Sequence, residues 1–137
     1  MTIRAYTTDD FATVQAWASA RGICLDAMFM GPHGFVVEDD AGPCAVAFCY
    51  LLYDIPVAAV DNLFTRPNQS LRKSLRAWRI LWRTILDYLA NLKDCNGAPL
   101  QYKLVRTYCR AELARFLKAD NWQIADRPST QITYALP

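Results

Sequence analysis

One acidic residue, Asp61, lies inside an otherwise apolar segment at residues 57–65. A carboxylate among apolar side chains costs several kcal/mol unless it has a partner, so its position is informative. It predicts either a polar group satisfied at a strand edge or bulge, or a general base that accepts a proton directly or through an ordered water. The residue types alone leave both interpretations open.

Four arginines recur at intervals of four, three and four residues, which places them on one stripe of a helix beside two tryptophans. They are Arg72, Arg76, Arg79 and Arg83. Such a stripe either binds phosphates, an acidic partner or a nucleic-acid backbone, or forms the solvated flank of an amphipathic helix. The flank is favoured for Arg79 and Arg83. Anion binding is favoured for Arg72 and Lys73, because free amides at a helix start attract anions.

The single histidine, His33, follows a Gly-Pro pair, and we expect it in an exposed turn without a catalytic partner. The five cysteines are odd in number, form no CxxC pair and lie mostly in apolar segments, so we expect reduced thiols in the core. No metal site is predicted, because histidines and paired carboxylates are too few. Most aromatic residues have core spacing, which favours packing over base stacking.

A chain of 137 residues has the size of one compact domain, and we predict a single domain over residues 1–137. The net charge of +2 does not predict a protein that coats a polyanion, so nucleic acid is not an expected partner. The longest apolar run, residues 44–53, is well short of the roughly 20 residues that span a bilayer. With no signal-peptide pattern at the start, we expect a cytoplasmic protein without a membrane segment.

The first half of the chain predicts a strand, a helix and a hairpin. Residues 3–6 are extended, and the Thr and Asp side chains of residues 7–10 suit the start of a helix that Gly22 terminates. A further helical turn is expected within residues 24–30. Strands at 34–38 and 44–52 are joined by the turn-forming residues 39–42. The second strand is apolar at successive positions, which predicts that both its faces are covered.

The second half of the chain predicts two strands connected by a long crossover helix. A strand at residues 57–65 leads to the longest helix at 70–93, followed by a strand at 101–108, a helix at 111–119 and extended pieces within 122–136. The order indicates an α/β fold with a mixed central sheet flanked by helices on both faces. Pairing is antiparallel early in the chain, and a right-handed crossover comes late.

Residues 61–67, DNLFTRP, resemble the strand that precedes the cofactor loop in the GCN5-related N-acetyltransferases. Residues 114–122, ARFLKADNW, resemble the late helix of the same family, and the predicted element order agrees along nearly all of the chain. The resemblance implies an acyl-CoA N-acyltransferase architecture. It also implies transfer of an acetyl group from acetyl-CoA to an amine acceptor, whose identity one sequence does not determine.

The resemblance also implies roles for particular residues. The backbone of Leu63, Phe64 and Thr65 would lie along the pantetheine arm and the thioester of acetyl-CoA. The pyrophosphate would lie at the start of the long helix, where the dipole and free amides favour anions and Arg72, Lys73 and Arg76 add charge. The catalytic candidates are Asp61 as the base and Tyr108 as a proton donor to the departing thiolate.

Three positions depart from the family pattern. Lys73 and Leu75 stand where glycines usually let the backbone approach the phosphates closely, so the loop is degenerate, and Leu117 aligns with the usual tyrosine acid. An alternative function is therefore a catalytically inactive binding module. It would use the basic stripe or the vacant cleft to hold a macromolecular partner. A homodimer is compatible with either function.

Overall fold

The computed structural model describes residues 1–108 and 122–123. Residues Met1–Thr107 form one compact unit, and Tyr108–Pro137 form a second. The elements described below belong to the first unit. The predicted helix at 111–119 and the extended pieces after residue 123 lie outside the described residues.

The first unit contains a five-stranded sheet. Its strands are β1 (Thr2–Ala5), β2 (Gly34–Asp39), β3 (Gly42–Leu52), β4 (Val57–Thr65) and β5 (Leu104–Thr107), and they neighbour one another in that order. The first three pairings are antiparallel, and β4 pairs with β5 in parallel. The predicted mixed sheet is confirmed, and so is the hairpin, whose turn ends at Gly42 with a φ of +93°.

Two helices accompany the sheet. Helix α1 (Phe11–Ser19) follows a 3₁₀ turn at Thr8–Asp10, and α2 (Leu71–Asn91) connects β4 to β5. Both helices agree with the predicted segments, and the expected turn within residues 24–30 is a 3₁₀ turn at Ala27–Phe29. The strand predicted at 101–108 is shorter than expected, because Gln101 has a left-handed φ of +47° that interrupts the extended chain.

The helices cover opposite faces of the sheet. Side chains of α1 pack in one buried cluster with Val46 and Phe48 of β3 and with Phe64 of β4. Successive residues of a strand point to opposite faces, so Ala47 and its odd-numbered neighbours on β3 face the other layer. Helix α2 packs there on β2 and β3. Residues 44–49 of β3 are all buried, which confirms that both faces of this strand are covered.

An ion-pair network joins β1, β2 and the start of α1. The guanidinium of Arg4 donates to both carboxylate oxygens of Asp10 at 2.7 Å and to Glu38 Oε1 at 2.9 Å. Asp10 is only 7% exposed and also accepts from the amide of Thr7 at 2.9 Å. The hydrogen bonds from Arg4, more than any other contact, hold the pKa of Asp10 below its usual value.

The prediction of an exposed turn at His33 is wrong. The imidazole is half-buried against α2, and its Nδ1 forms a hydrogen bond with the hydroxyl of Tyr88. The two rings are 5.6 Å apart between centroids. Burial lowers the pKa of His33, because the charged form is disfavoured away from water. This histidine is therefore part of the packing between β2 and α2.

The cysteine prediction is correct for two residues and wrong for two. Cys44 and Cys49 are buried free thiols, and burial raises the pKa of Cys49 to about 11. Cys24 and Cys95 are exposed, because each lies in a loop that follows a helix and has no apolar layer above it. Cys109 lies outside the described residues.

Candidate functional site

Asp61 lies at a β-bulge in β4. Phe48 of β3 pairs with Asp61 and Val46 pairs with Phe64, so three steps along β4 oppose two steps along β3. Asn62 takes up the extra residue in a left-handed conformation with a φ of +49°, which asparagine tolerates better than most residues. The Asp61 side chain is exposed, and its Oδ1 accepts from the Asn62 amide at 2.8 Å. Asp61 is thus a polar group satisfied at a bulge, and it also faces solvent as a base requires.

Tyr50 supports this bulge from the neighbouring strand. Its hydroxyl accepts from Asn62 Nδ2 at 2.7 Å and also receives a hydrogen bond from the backbone of Gly31. Burial is the largest influence on its pKa, which is raised. Tyr50 was missed in the sequence because it lies within a mostly apolar strand, where packing is the usual role of an aromatic residue. The sequence signal that could have located the bulge is Asn62, a residue suited to left-handed φ within a strand.

The sheet is open beside Asp61 in the part of the chain that the structure describes. Pairing between β4 and β5 runs from Val57 with Leu104 to Val60 with Thr107. Residues 61–65 of β4 extend beyond the last paired residue, and no described strand pairs with them on that side.

Arg21 lies at the far end of this open edge. Its Nη2 donates to the Thr65 carbonyl oxygen at 2.7 Å and to Thr65 Oγ1 at 3.1 Å, while Nη1 donates to the Trp17 carbonyl at 2.7 Å. Arg21 carried no signal in the sequence, because it follows the last turn of α1 and is remote in the chain from β4. A ligand that bonds the Thr65 carbonyl would have to exchange with this guanidinium.

The start of α2 follows β4 after five residues. Ser70 caps the helix, and its Oγ accepts from the Lys73 amide at 3.4 Å. Arg72 and Arg76 are exposed, and the described residues provide no partner for either guanidinium. The Nζ of Lys73 lies 3.8 Å from Asp39 Oδ2, so its charge is directed toward the β2–β3 turn. Hydrogen bonds from Arg66, the larger influence, lower the pKa of that aspartate.

The other predicted site residues, Leu63 to Thr65 and Tyr108, differ in their solvent exposure. Phe64 is 4% exposed and belongs to the core, so only its backbone is open to a ligand, while Leu63 and Thr65 are half-buried. Tyr108 directly follows β5 in the chain and is 64% exposed, but it belongs to the second unit. Asp61 therefore lies at the open edge of β4, and the basic start of α2 follows that strand in the chain after five residues. The role of Tyr108 stays a prediction.

The described residues also bear on membrane insertion and on metal binding. None of their helices combines the length and the apolar character needed to cross a lipid bilayer. Within the same residues, no group of three or more histidine, cysteine, aspartate or glutamate side chains is arranged to hold a metal ion.

Similar folds occur among solved acetyltransferase structures. A possible acetyltransferase from Clostridium difficile 630 has a TM-score of 0.66 at 14% identity, with 98% of each chain covered. A Mycobacterium tuberculosis protein in complex with CoA has a TM-score of 0.66 at 11% identity, covering 95% of this chain and 76% of that one.

A third similar structure is N-acetylglutamate synthase from Neisseria gonorrhoeae, solved with coenzyme A and N-acetyl-glutamate. It has a TM-score of 0.60 at 10% identity and covers 86% of this chain and 27% of that one. No protein-family model matches the sequence, and no curated protein matches it. The chain therefore has the acyl-CoA N-acyltransferase fold that the resemblance in its sequence predicted.

Proposed function

We propose that this protein binds acetyl-CoA and transfers its acetyl group to an amine. The observation that carries the proposal is the bulge at Asn62, which lies two residues beyond the last β4–β5 pair and presents Asp61 at an open strand edge. A narrow acyl-pantetheine chain could pair with such an edge through backbone hydrogen bonds. The likeness to folds solved with CoA supports the same function.

The phosphates of the donor would lie at the start of α2. The Ser70 cap leaves other first-turn amides free, and the helix dipole attracts negative charge. Lys73 and Leu75 replace the glycines that allow close backbone approach, so we assign phosphate binding mainly to the guanidinium groups of Arg72 and Arg76. Lys73 contributes less, because its ammonium is shared with Asp39.

The chemistry requires one nucleophile and two proton movements. The lone pair of the neutral amine would attack the thioester carbonyl, and Asp61, directly or through a water, would accept one proton from that nitrogen as the C–N bond forms. Collapse of the tetrahedral intermediate would break the C–S bond and form the amide. The departing thiolate would take up a proton, for which Tyr108 is the candidate donor. The products would be an N-acetyl amine and free CoA.

Acetyl-CoA titration tests donor binding. Acetyl-CoA at about 100 times its Kd should add about 2.7 kcal/mol to the free energy of unfolding, read as a rise in Tm. Arg72→Glu should weaken binding at least tenfold, because it reverses the charge beside the phosphates. Arg83→Glu is the matched control, since Arg83 is exposed on the same helix about three turns further along. No rise in Tm at millimolar acetyl-CoA would overturn the proposal.

The role of Asp61 is tested separately from donor binding. Asp61→Asn should lower the rate of amine acetylation about 100-fold or more, because the amide accepts no proton, while the Kd for acetyl-CoA stays unchanged. The readout is the release of free thiol from acetyl-CoA in the presence of an amine. A variant with the wild-type rate would remove Asp61 from the chemistry.

The inactive binding module remains a second candidate, and the arginine stripe supports it. Arg76 and Arg83 are exposed, and no described residue partners them. If the protein is a binding module, Arg83→Glu, the control variant above, would weaken capture of an anionic macromolecule in a salt-dependent way. Acetyl-CoA would then leave Tm unchanged. The same two variants therefore distinguish the two functions.

A further inference from the structure

The hydroxyl of Tyr50 connects the side chain of Asn62 to strand β3 at the bulge. It accepts from Asn62 Nδ2 at 2.7 Å, and a hydrogen bond from the Gly31 backbone reaches the same oxygen. The Tyr50 ring is half-buried and packs on the core cluster between α1 and the sheet. A Cβ on Gly31 would lie only 3.3 Å from this ring, so the ring has little room on that side. Tyr50 is therefore a well-fixed acceptor beside the bulge.

The backbone of Asn62 benefits from such an acceptor, because a left-handed φ is unfavourable for most residues other than glycine. Asn62 has a φ of +49° within a strand. Residues in this conformation persist where the surrounding structure over-determines them. The bond to Tyr50 supplies that constraint from the neighbouring strand, in addition to the local tolerance of asparagine.

The conformation of Asn62 in turn orients the carboxylate of Asp61. The Asn62 amide donates to Asp61 Oδ1 at 2.8 Å, and no other described residue forms a hydrogen bond with this carboxylate. Asp61 is exposed, so without that amide its side chain would exchange among the staggered rotamers that solvent allows. Two consecutive hydrogen bonds therefore run from Tyr50 through Asn62 to Asp61.

We infer that Tyr50 is a positioning residue for the proposed base Asp61. The inference rests on the proposed function and adds the side chain that orients its base. The Tyr50 hydroxyl holds Asn62 in its left-handed conformation, and the Asn62 amide then directs Asp61 Oδ1. The second oxygen, Oδ2, is left to accept the proton. A base that is oriented before the reaction lowers the entropic cost of the transfer.

The pH dependence of the Asn62 amide signal tests this role by NMR in the free protein. In the wild type, the proton shift of this amide should move upfield as Asp61 is protonated, because its acceptor loses negative charge. Asp61→Asn should abolish the movement, which assigns it to that carboxylate. Tyr50→Phe should largely abolish it as well, because Asn62 loses the bond that directs its amide. An undiminished movement in Tyr50→Phe would overturn the inference.

Tyr6→Phe is the matched control for the loss of a hydroxyl. Tyr6 is a half-buried tyrosine that packs on the same core cluster, and its ring centroid lies 4.8 Å from that of Phe48. Its hydroxyl is not the partner of Asn62, so the Asn62 amide should titrate as in the wild type. Loss of the titration in Tyr6→Phe as well would assign the effect to packing and overturn the inference.

The rate of amine acetylation gives a second, independent readout. The probes are acetyl-CoA and the amine among n-butylamine, lysine and spermidine that the wild type acetylates fastest. Tyr50→Phe should lower kcat about tenfold and leave KM for acetyl-CoA unchanged. Added to Asp61→Asn, it should lower the rate no further, because Tyr50 acts only through that carboxylate. Multiplied losses in the double variant would contradict the positioning role.

Failure of the proposed function gives a different result. No rise in Tm with acetyl-CoA would contradict acetyl transfer, and Asp61 would then have no role as a base for Tyr50 to support. A rise in Tm together with an undiminished Asn62 titration in Tyr50→Phe would contradict the inference alone.

Discussion

At the residue scale, the missing side chain of Gly34 shapes the packing of the core. A Cβ on Gly34 would lie 2.6 Å from the Phe48 ring and 2.7 Å from Tyr6 Cβ. Because that space is open, the rings of Tyr6 and Phe48 contact each other edge to face, with centroids 4.8 Å apart. The glycine thus lets Tyr6 pack against the core cluster that contains Phe48.

We expect Gly34→Ala to lower the free energy of unfolding by about 1–3 kcal/mol, because the new methyl group overpacks the core and displaces a ring. Urea unfolding measures the change. The control is Gly31→Ala, whose methyl group would meet only the Tyr50 ring, at 3.3 Å, and should cost less. Equal stabilities of Gly34→Ala and wild type would show that the Phe48 ring moves without cost.

At the element scale, the start of α2 combines a structural task with the proposed binding task. Ser70 caps the helix, and the exposed Arg72 follows two residues later. A helix cap requires a side-chain acceptor, whereas phosphate binding requires positive charge. An acidic residue in place of Ser70 would therefore keep the helix capped but weaken phosphate binding.

Ser70→Asp should leave Tm unchanged or slightly raised, because aspartate caps as well as serine and its charge suits the helix dipole. Its affinity for acetyl-CoA should fall about tenfold, because the new carboxylate repels the phosphates. Ser70→Asn is the control with a neutral cap and should keep wild-type affinity. Calorimetric titration measures the acetyl-CoA affinity of both variants. Undiminished affinity in Ser70→Asp would place the phosphates elsewhere.

At the scale of the whole first unit, the Arg4–Asp10–Glu38 network connects the sheet edge to α1. Asp10 has a lower pKa folded than unfolded, so its stabilisation is present above its unfolded pKa of about 3.9 and is lost as the pH falls through the folded pKa. Burial of His33 favours its neutral form, so acidification below about 6.5, the pKa of an unfolded histidine, also lowers the free energy of unfolding.

Asp10→Asn should lower the free energy of unfolding at pH 7 by about 1–3 kcal/mol, because Arg4 loses a charged partner. The difference from wild type should shrink when urea unfolding is repeated at pH 3, because Asp10 of the unfolded chain, with a pKa of about 3.9, is largely protonated there and ionisation stabilises the fold less. Asp9→Asn, at an exposed neighbouring position, should change little at either pH. A difference that does not depend on pH would assign the effect to packing.

Local sequence patterns predicted most elements of this unit and several boundaries. The predicted strand at Val57–Thr65 has the observed ends, and Ser70 caps the long helix near its predicted start. These features depend on residues that are close in the chain, namely the spacing of the apolar residues and the side-chain oxygens that cap helices. The burial of His33 depends instead on Tyr88, which is remote in the chain, and the exposure of Cys24 depends on what covers a loop.

The sequence by itself determined the layered α/β fold, the acidic position in β4 and the positive start of α2, because each follows from residues close together in the chain. Only the tertiary structure decided that Asp61 lies at a bulge held by Tyr50, that Lys73 faces Asp39, and that Arg21 reaches Thr65. Those contacts join residues distant in sequence, and their geometry follows from strand register and helix packing, which local patterns do not specify.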